Sequence, residues 1–294
     1  MICRRMTLLL CVALFSGCAG APRLSSAPPA DAAASAGVPA DDNLNAVAWT
    51  QTAVEHELIY LQTYGDAQAR LLPALHDSQW DALSRSDRVA PVSQLPPAVI
   101  LDIDETVLDN SPYQARLIRG GGEFSEADWV AWCREARARA LPGAVAFTQF
   151  AASHGIAVIY LSNRAKDLDA VTINNLRRAG FPVAGPDAFL GLGIKVPGCE
   201  PWGSSKGCRR QQVSRRYRVL MQFGDQLGDF LDAPVASVAG RREAVEPYLA
   251  WIGTRWFVLP NPTYGSWEAA LFDNRRHETR ELRRQEKREA LRYQ

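Results

Sequence analysis

Short apolar runs separated by helix-length segments recur along most of the chain. Runs of this kind, continuous and rich in β-branched side chains, are typical of parallel strands that are buried on both faces. The predicted strands lie at 98–102, 156–161, 188–192, 219–223 and 255–259. Because these strands alternate with helices, the pattern predicts an α/β fold with a doubly wound, mostly parallel sheet.

Helices are predicted where apolar residues recur every three or four positions. In the segment 43–75 these residues include Val47, Val54, Leu58, Leu61 and Tyr64, so we expect a long helix or a helix pair that packs outside the sheet, with Tyr60 and Tyr64 as packing residues. Between residues 106 and 119 we expect loop and turn that cover the end of the first strand. The remaining helices are predicted at 124–139, 144–154 and 168–179.

The first residues have the pattern of a targeting segment. Arg4-Arg5 provides a positive region, 8–15 an apolar stretch too short to span a bilayer, and Ser16-Gly17 a small-residue cleavage site. Residues 1–17 are therefore predicted to be a signal peptide. Cys18 resembles the cysteine of a bacterial lipobox, which implies lipidation and anchoring to the outer membrane. An ordinary secretory signal with a periplasmic or secreted product is the alternative.

Two further segments lack the strand–helix pattern. Residues 18–42 are rich in Ala, Pro and Ser, which predicts a flexible tether. Residues 274–294 hold eight Lys or Arg and four Glu. This mixture indicates a solvated, charged helix or tail, with binding to anionic lipid heads as the second interpretation, and no function is assigned to it. The segment between them, 43–273, is predicted to be the folded domain.

The charge balance limits the class of partner. The 294 residues include 33 Lys and Arg against 32 Asp and Glu, and the predicted leader removes two of the arginines. The mature chain then has a net charge of −1, whereas a domain that binds nucleic acid would be basic. Cys199 and Cys208 flank a Pro/Gly/Ser loop, and a local disulfide is expected if the chain reaches an oxidising compartment.

Polar side chains follow three predicted strands at the point where each strand ends. Asp102 and Asp104 end the first strand, Ser162 follows the second, and Asp225 and Asp229 follow the third. In open α/β sheets ligands bind just beyond the carboxyl ends of the strands, which share one edge. Because two neighbouring acids repel each other unless a cation or a shared proton lies between them, the first pair predicts a Mg²⁺ site.

These side chains suit phosphoryl transfer. An aspartate nucleophile can accept a phosphoryl group and so divide hydrolysis into two easier steps. An acid two residues further on can protonate the leaving oxygen and later deprotonate water. Ser162 and Lys206 can hold the phosphoryl oxygens, and Mg²⁺ would neutralise charge on the nucleophile and the phosphate together.

The set resembles the four motifs of the haloacid dehalogenase-like phosphohydrolases, the first of which is D-x-D-x-T. The resemblance implies their Rossmann-like fold, here with extra helices at the N-terminus and a small helical cap. It makes Asp102 the nucleophile, Asp104 the general acid/base, and Ser162 and Lys206 the groups that bind the phosphoryl oxygens. The implied Mg²⁺ ligands are Asp102, Asp104 through its backbone carbonyl, Asp225 and the supporting Asp229.

Longer segments are similar to the bacterial class C acid phosphatases, surface lipoproteins that remove phosphate from 5′-nucleotides and related monoesters. The similarity runs from about Trp49 to Trp267. In that family aromatic side chains clasp the nucleobase, and Phe124 and Tyr264 lie at fitting places, with helix packing as the alternative for Phe124. The implied substrate-binding residues are Thr106, Phe124, Asn163, Arg164 and Tyr264. The similar segments are 102–113, 141–144, 161–164, 224–230 and 260–265.

The same residues also bear on other functions. An EF-hand calcium loop is excluded because Val107 and Tyr113 stand where it needs Gly and Glu. A dehalogenase would not need Asp104. A phosphotransferase with the same intermediate stays open, as does a surface lipoprotein that binds a ligand such as a nucleotide or haem on an inactive fold. The oligomeric state is also open, with a homodimer as one option. The sequence thus predicts a Mg²⁺-dependent acid phosphatase with small phosphomonoester substrates.

Overall fold

The structure is a computed structural model that describes residues 41–199, 203–232 and 237–294. The predicted signal peptide 1–17, the predicted lipidation site Cys18 and nearly all of the predicted tether lie outside the described residues. Within the described ranges, the chain contains no helix with the length and apolar character needed to cross a membrane.

A parallel sheet forms the centre of the fold. The described residues contain seven strands: β1 Pro97–Leu101, β2 Leu108–Asp109, β3 Arg139–Ala140, β4 Ala157–Ala165, β5 Phe189–Leu192, β6 Arg218–Gly224 and β7 Trp256–Val258. Five of them form a sheet in the order β5-β4-β1-β6-β7, and every neighbouring pair is parallel. From the central β1, the sheet first extends to one side through β4 to β5. The chain then crosses over to the other side of β1, where β6 and β7 are added. This doubly wound order confirms the predicted fold class.

Helices connect the strands and cover the sheet. The described residues contain ten α-helices: α1 Leu44–Thr52, α2 Val54–His76, α3 Ser111–Gly120, α4 Glu126–Glu135, α5 Ala144–Ser153, α6 Asp169–Arg178, α7 Gly207–Ser214, α8 Val238–Val245, α9 Ser266–Ala269 and α10 Arg280–Glu289. α1 and α2 are the predicted N-terminal helix pair, separated at Ala53, whose backbone is extended.

The central strand is buried on both faces. Val99 and Leu101 belong to a core cluster that includes side chains of α2 and α5. Ala98 and Ile100 belong to a second cluster on the opposite face, together with Trp256 of β7. Since successive side chains of a strand point to opposite faces, both clusters require apolar residues, and this explains the continuous apolar run in the sequence.

The buried side of α2 includes the expected packing residues Tyr60 and Tyr64, but it leaves Leu58 and Leu61 at the surface. Leu58 and Leu61 are 55% and 44% exposed, whereas Tyr60 and Tyr64 are completely or almost completely buried. Both tyrosine hydroxyls donate hydrogen bonds to backbone carbonyls of the loop after β1. A buried tyrosine usually needs a partner for its hydroxyl, and these carbonyls provide it.

A small helical insertion follows β1 and corresponds to the predicted cap. β2 pairs antiparallel with β3, placing Leu108 opposite Ala140, and α3 and α4 lie between these two short strands. The cap therefore stays attached to the sheet through a narrow two-strand stem.

Two predicted boundaries in the cap were wrong. The segment 106–119 was expected to be loop and turn, but most of it belongs to α3. Pro112 in the first turn of α3 favours helical backbone, and Gly121 ends the helix in the left-handed conformation with φ 66°. The helix expected to reach residue 139 ends earlier, because Ala136 takes a left-handed φ of 48°.

The charged tail forms α10 and lies against the domain. Thr279 caps this helix by accepting a hydrogen bond from the backbone N–H of Leu282. Three ion pairs connect its arginines to the rest of the fold: Arg280–Asp41 (3.2 Å), Arg283–Glu123 (2.6 Å) and Arg284–Asp42 (2.9 Å). Surface ion pairs of this kind contribute at most about 1 kcal/mol each.

A buried arginine joins β6 to the end of α2. Arg218 is 7% exposed, and its guanidinium donates hydrogen bonds to the carbonyl oxygens of Asp77 (2.7 Å), Leu75 (2.8 Å) and Ala74 (3.2 Å). The last carbonyls of a helix have no partner within the helix. Arg218 therefore satisfies polar groups that would otherwise be buried without a donor.

We expect Arg218→Met to lower the free energy of unfolding by about 2–4 kcal/mol, because buried carbonyls lose their donors while the volume stays similar. Urea denaturation followed by circular dichroism measures the loss. Arg70→Met, on the exposed side of α2, is the matched control and should change stability by no more than about 0.5 kcal/mol. Equal effects of the two substitutions would contradict the role given to Arg218.

Candidate active site

Two central strands deliver acids to the same crevice. β1 and β6 are neighbours at the point where the strand order reverses; Asp102 follows β1 and Asp225 follows β6. The backbone N–H of Asp102 donates to the carbonyl oxygen of Phe223 (3.0 Å), so the pairing of the two strands continues to the acids. This switch point is where ligands bind in doubly wound folds.

Three carboxylates converge there. One oxygen from each of Asp102, Asp225 and Asp229 lies within 4.8 Å of the other two. Asp229 is fixed by a reciprocal cap with Gln226, whose backbone N–H donates to Asp229 Oδ2 (2.8 Å). Gly224 allows the close approach, because a Cβ at that position would overlap the side chain of Asp229. We call these three acids the carboxylate cluster.

Lys206 partly neutralises the carboxylate cluster. Its side chain is 5% exposed, and Nζ donates hydrogen bonds to Asp102 Oδ1 and to Asp229 Oδ1, the latter over 2.7 Å. Burial alone would lower the pKa of Lys206, but the charges of Asp102 and Asp229 outweigh it and raise that pKa. The side chain is therefore an ammonium, and one ammonium faces three acids.

The crowding changes the acidity of the cluster. Burial raises the pKa of Asp102 to about 7; Lys206 opposes this rise, and the charges of Asp229 and Asp104 add to it. Burial, together with the charges of Asp229 and Asp102, also raises the pKa of Asp225 well above its usual range. A further positive charge near these groups would favour their ionised forms.

The donor atoms of the carboxylate cluster suit a divalent cation. Carboxylate oxygens are the ligands that hard cations prefer, and the cluster offers three, while the ammonium of Lys206 bonds to Asp102 and Asp229. Asn261 holds Asp225 in place, since its Nδ2 donates to Asp225 Oδ2 (2.8 Å). The cluster can therefore bind a metal ion. Asp102, Asp225 and Asp229 were all predicted as ligands, and the fold brings them together.

The side chain of Asp104 has a separate environment. Its Oδ1 accepts hydrogen bonds from Arg164 Nη2 (2.7 Å) and Asn110 Nδ2 (2.9 Å). Ser162 Oγ lies 3.4 Å from the other carboxylate oxygen, Oδ2. Asp104 thus lies beside the cluster rather than in it, which agrees with the prediction that it offers a metal only its backbone carbonyl. That metal contact stays a prediction.

The loop after β1 is held from behind by α2. Tyr60 OH donates to the carbonyl oxygen of Glu105 (2.5 Å), and Tyr64 OH donates to that of Thr106 (2.8 Å). The Thr106 hydroxyl in turn lies 3.4 Å from Asp102 Oδ2. These contacts fix the loop after β1 to α2 and give both buried tyrosine hydroxyls a partner.

The third predicted motif lies in a cross-linked loop. Cys199 and Cys208 form a disulfide with a Cα–Cα distance of 5.6 Å, which confirms the predicted pairing. Lys206 lies inside this loop, two residues before Cys208. Ser205 Oγ donates to Asp232 Oδ2 (2.7 Å), which ties the loop to the segment after β6.

The end of β4 contributes the second motif. The strand extends to Ala165, so Ser162 and its two successors lie within it rather than after it. Ser162 is buried, whereas the predicted substrate contact Asn163 is exposed. Asn163 Nδ2 donates to the carbonyl oxygen of Ser204 (2.9 Å), and its Oδ1 accepts from Arg209 (2.6 Å). Asn163 therefore connects the second motif to the loop that carries Lys206.

The two aromatic residues predicted to hold a base have different contacts. Tyr264 is half-buried and its hydroxyl donates to the Glu105 carboxylate, beside the first motif. Phe124 is 61% exposed at the start of the cap helix α4. Among the described residues its ring contact is with Tyr113, edge to face at 6.4 Å, and not with Tyr264. The structure thus brings Tyr264, but not Phe124, into contact with the motif residues.

Glu105 is a site residue that the sequence analysis missed. It is 4% exposed, its backbone is left-handed with φ 57°, and its carboxylate accepts a hydrogen bond from the backbone N–H of Asn110 (2.9 Å). Burial raises the pKa of Glu105 well above its usual range, and the charges of Asp104 and Asp225 add to this. A left-handed φ is rare outside glycine and often marks a functional turn. Glu105 occupies the second x of the D-x-D-x-T motif, where any residue is allowed, so the motif could not indicate its role.

Comparisons with known proteins agree with the geometry. The family model of HAD superfamily, subfamily IIIB (acid phosphatase), matches residues 38–267. The class C acid phosphatase of Bacillus anthracis with tungstate bound has a similar structure, with a TM-score of 0.75 and 33% identity. A second structure of that enzyme gives a TM-score of 0.74. Both comparisons cover 86% of this chain and 97% of the other.

Curated plant proteins are similar over a shorter region. The Stem 31 kDa and Stem 28 kDa glycoproteins of Glycine max are 32% and 30% identical over 166 residues, and acid phosphatase 1 of Solanum lycopersicum is 27% identical over 165. Each match covers 56% of this chain, and the chain spans little more than half the length of these relatives, 57–58%. The family match is much longer and covers every motif residue of the site. The chain belongs to the HAD superfamily, subfamily IIIB (acid phosphatase).

Proposed function

We propose that this protein is a Mg²⁺-dependent acid phosphatase that hydrolyses phosphate monoesters through a phosphoaspartate on Asp102. The observation that carries the proposal is the meeting of the carboxylate cluster with Lys206 in one crevice. These side chains come from three distant parts of the chain, so the fold, and not closeness in sequence, brings them together. The complete set of catalytic side chains favours an enzyme over a ligand-binding protein on an inactive fold.

Asp102 supplies the nucleophile. A carboxylate oxygen of Asp102 attacks phosphorus, the bond to the leaving oxygen breaks, and a phosphoaspartate forms. Water then attacks the phosphoaspartate, which releases inorganic phosphate and restores Asp102. Asp104 is close enough in the chain to act on both steps, first giving a proton to the leaving oxygen and then accepting one from water.

Side chains around Asp102 hold the phosphoryl group. Lys206 offers an ammonium, and Ser162 and Thr106 offer hydroxyls that reach Asp104 and Asp102 at 3.4 Å in each case. Such donors, fixed before the substrate arrives, stabilise charge that develops in the transition state. When bound by the carboxylate cluster, Mg²⁺ would add positive charge against the phosphate and the nucleophile.

We propose 5′-nucleotides as the preferred substrates. The support is the position of Tyr264, whose hydroxyl is fixed by Glu105 next to the first motif and whose loop contains Asn261, the partner of Asp225. Aromatic rings stack on nucleobases with little dependence on the base, so one ring can serve several nucleotides.

We propose that the protein is anchored through Cys18 at the bacterial outer membrane. The Cys199–Cys208 disulfide supports an oxidising compartment, because such bonds are rare in the cytosol.

Asp102→Asn should lower kcat for p-nitrophenyl phosphate by about 10³-fold or more, because it removes the nucleophile. EDTA should stop the wild-type reaction, and added Mg²⁺ should restore it. Asp187→Asn is the control, since Asp187 is an exposed acid paired with Arg216 at the surface, and it should keep wild-type kcat. Wild-type turnover by Asp102→Asn would disprove the phosphoaspartate.

Tyr264→Ala should lower kcat/KM for adenosine 5′-monophosphate by about 5- to 150-fold, the equivalent of about 1–3 kcal/mol of stacking. Turnover of glycerol phosphate, which has no ring, should change little. Tyr264→Phe keeps the ring without the bond to Glu105 and should stay near wild type for the nucleotide. If Tyr264→Ala lowers both activities equally, the residue does not bind the base.

Reduction of the disulfide should lower activity, because it frees the loop that positions Lys206. Dithiothreitol should reduce wild-type kcat/KM, and the double variant Cys199→Ser/Cys208→Ser should lose about 2–3 kcal/mol of stability. Cys133→Ala, which removes the buried free thiol, should remain sensitive to dithiothreitol, whereas the double variant should be insensitive. Full activity of the reduced wild type would contradict this role of the cross-link.

A further inference from the structure

Arg164 was expected to contact substrate, but its guanidinium is turned toward the acid/base. The residue is 1% exposed, although it lies near the end of β4 at the edge of the crevice. Its Nη2 and Nε lie 2.7 Å and 3.0 Å from the same oxygen of Asp104, Oδ1. Trp129 of α4 covers the guanidinium from the cap side, 5.5 Å from ring centre to carbon.

Asn110 reinforces this arrangement. Its Nδ2 donates to Asp104 Oδ1 at 2.9 Å, and its Oδ1 accepts the indole N–H of Trp132 at 2.7 Å. Since an indole nitrogen can only donate, the Asn110 atom that faces Trp132 must be the oxygen, and the amide nitrogen must face Asp104. The orientation of Asn110 therefore follows from the hydrogen-bond chemistry.

The two oxygens of Asp104 consequently differ. Three N–H groups, two from Arg164 and one from Asn110, point at Oδ1 within 3.0 Å. Oδ2 has contacts at 3.4 Å, from Ser162 Oγ and Arg164 Nε. Arginine cannot accept a hydrogen bond, so a proton on Oδ1 would face N–H groups that repel it. The close donors therefore occupy Oδ1, and Oδ2 is the oxygen that can give and accept a proton.

We propose that Arg164 is a positioning residue that fixes Asp104 with Oδ2 as its proton-carrying oxygen; the proposal rests on the proposed phosphatase function. When Asp102 attacks phosphorus, the electron pair of the breaking P–O bond takes the proton from Oδ2. Water then returns a proton to Oδ2 as its oxygen attacks the phosphoaspartate. Arg164 takes no part in either bond change.

This role predicts a dependence on the leaving group. A general acid matters most when the leaving oxygen is strongly basic and hardly at all when it leaves readily as an anion. The value of kcat/KM reports the steps up to phosphoryl transfer to Asp102, so it isolates the step in which Asp104 gives up its proton. A residue that binds the phosphoryl group would affect all esters alike.

The test compares p-nitrophenyl, phenyl and benzyl phosphates, which share a ring and differ in the basicity of the leaving oxygen. Arg164→Lys keeps the charge but loses the two-pronged contact with Oδ1. We expect its kcat/KM to fall by about 10²–10³-fold for benzyl phosphate and by less than about tenfold for p-nitrophenyl phosphate. Phenyl phosphate should lie between them.

Arg218→Lys is the matched control. It alters another buried arginine, which lies at the start of β6, at the opposite end of that strand from Asp225, and should show no dependence on the leaving group. Trp132→Phe removes the donor that orients Asn110 and should show the same trend as Arg164→Lys, at about 2- to 10-fold for benzyl phosphate. If Arg164→Lys does not fold, the Trp132→Phe variant provides the test instead.

Equal losses for all three esters in Arg164→Lys, or in Trp132→Phe if the former does not fold, would overturn the proposal and make Arg164 a phosphoryl-binding residue. A wild-type protein that hydrolyses none of the esters with Mg²⁺ present would instead disprove the phosphatase function itself. The two failures are therefore distinguishable by the wild-type reaction alone.

Discussion

The electrostatic crowding of three carboxylates, two buried and one half-buried, around the ammonium of Lys206 is the constraint on which the rest of the site depends. Asp102, Asp225 and Asp229 lie within a few ångströms of one another, and Lys206 bonds to two of them. Like charges in a buried crevice are costly unless cations compensate them. The crevice can therefore take up a cation.

Two acids only two residues apart have different surroundings. Asp102 lies among acids and an ammonium, whereas Asp104 lies against Arg164 and Asn110. Between them the chain turns, and Glu105 adopts the left-handed backbone just beyond. Pairs of acids whose environments diverge are a common way to obtain a nucleophile and an acid/base from one residue type. Here the divergence comes from contacts with β4, the cap and the loop after β6.

Much of the fold followed from the local pattern. The apolar run of β1 predicted a strand buried on both faces, and the alternation of strands with helices predicted a doubly wound sheet. The motif acids could be named because strand ends of a parallel sheet meet at one edge. The sequence indicated that Tyr60 and Tyr64 pack, but it could not show that Leu58 and Leu61 are exposed, because leucines and tyrosines both occur at helical spacing. The carbonyls of the loop after β1, which accept hydrogen bonds from the hydroxyls of Tyr60 and Tyr64, favour burial of the side that carries these tyrosines.

The sequence by itself determined the fold class, the carboxylate cluster and the partner lysine, since each depends on residue type and on position relative to a strand end. Tertiary structure alone decided which groups Arg164, Glu105 and Asn110 contact. Their contacts join β4, the loop after β1 and the cap, segments far apart in the chain. Hydrogen bonds depend on distances of a few tenths of an ångström and on direction. No spacing in a sequence encodes those quantities, so the orientation of Asp104 became visible only in the folded molecule.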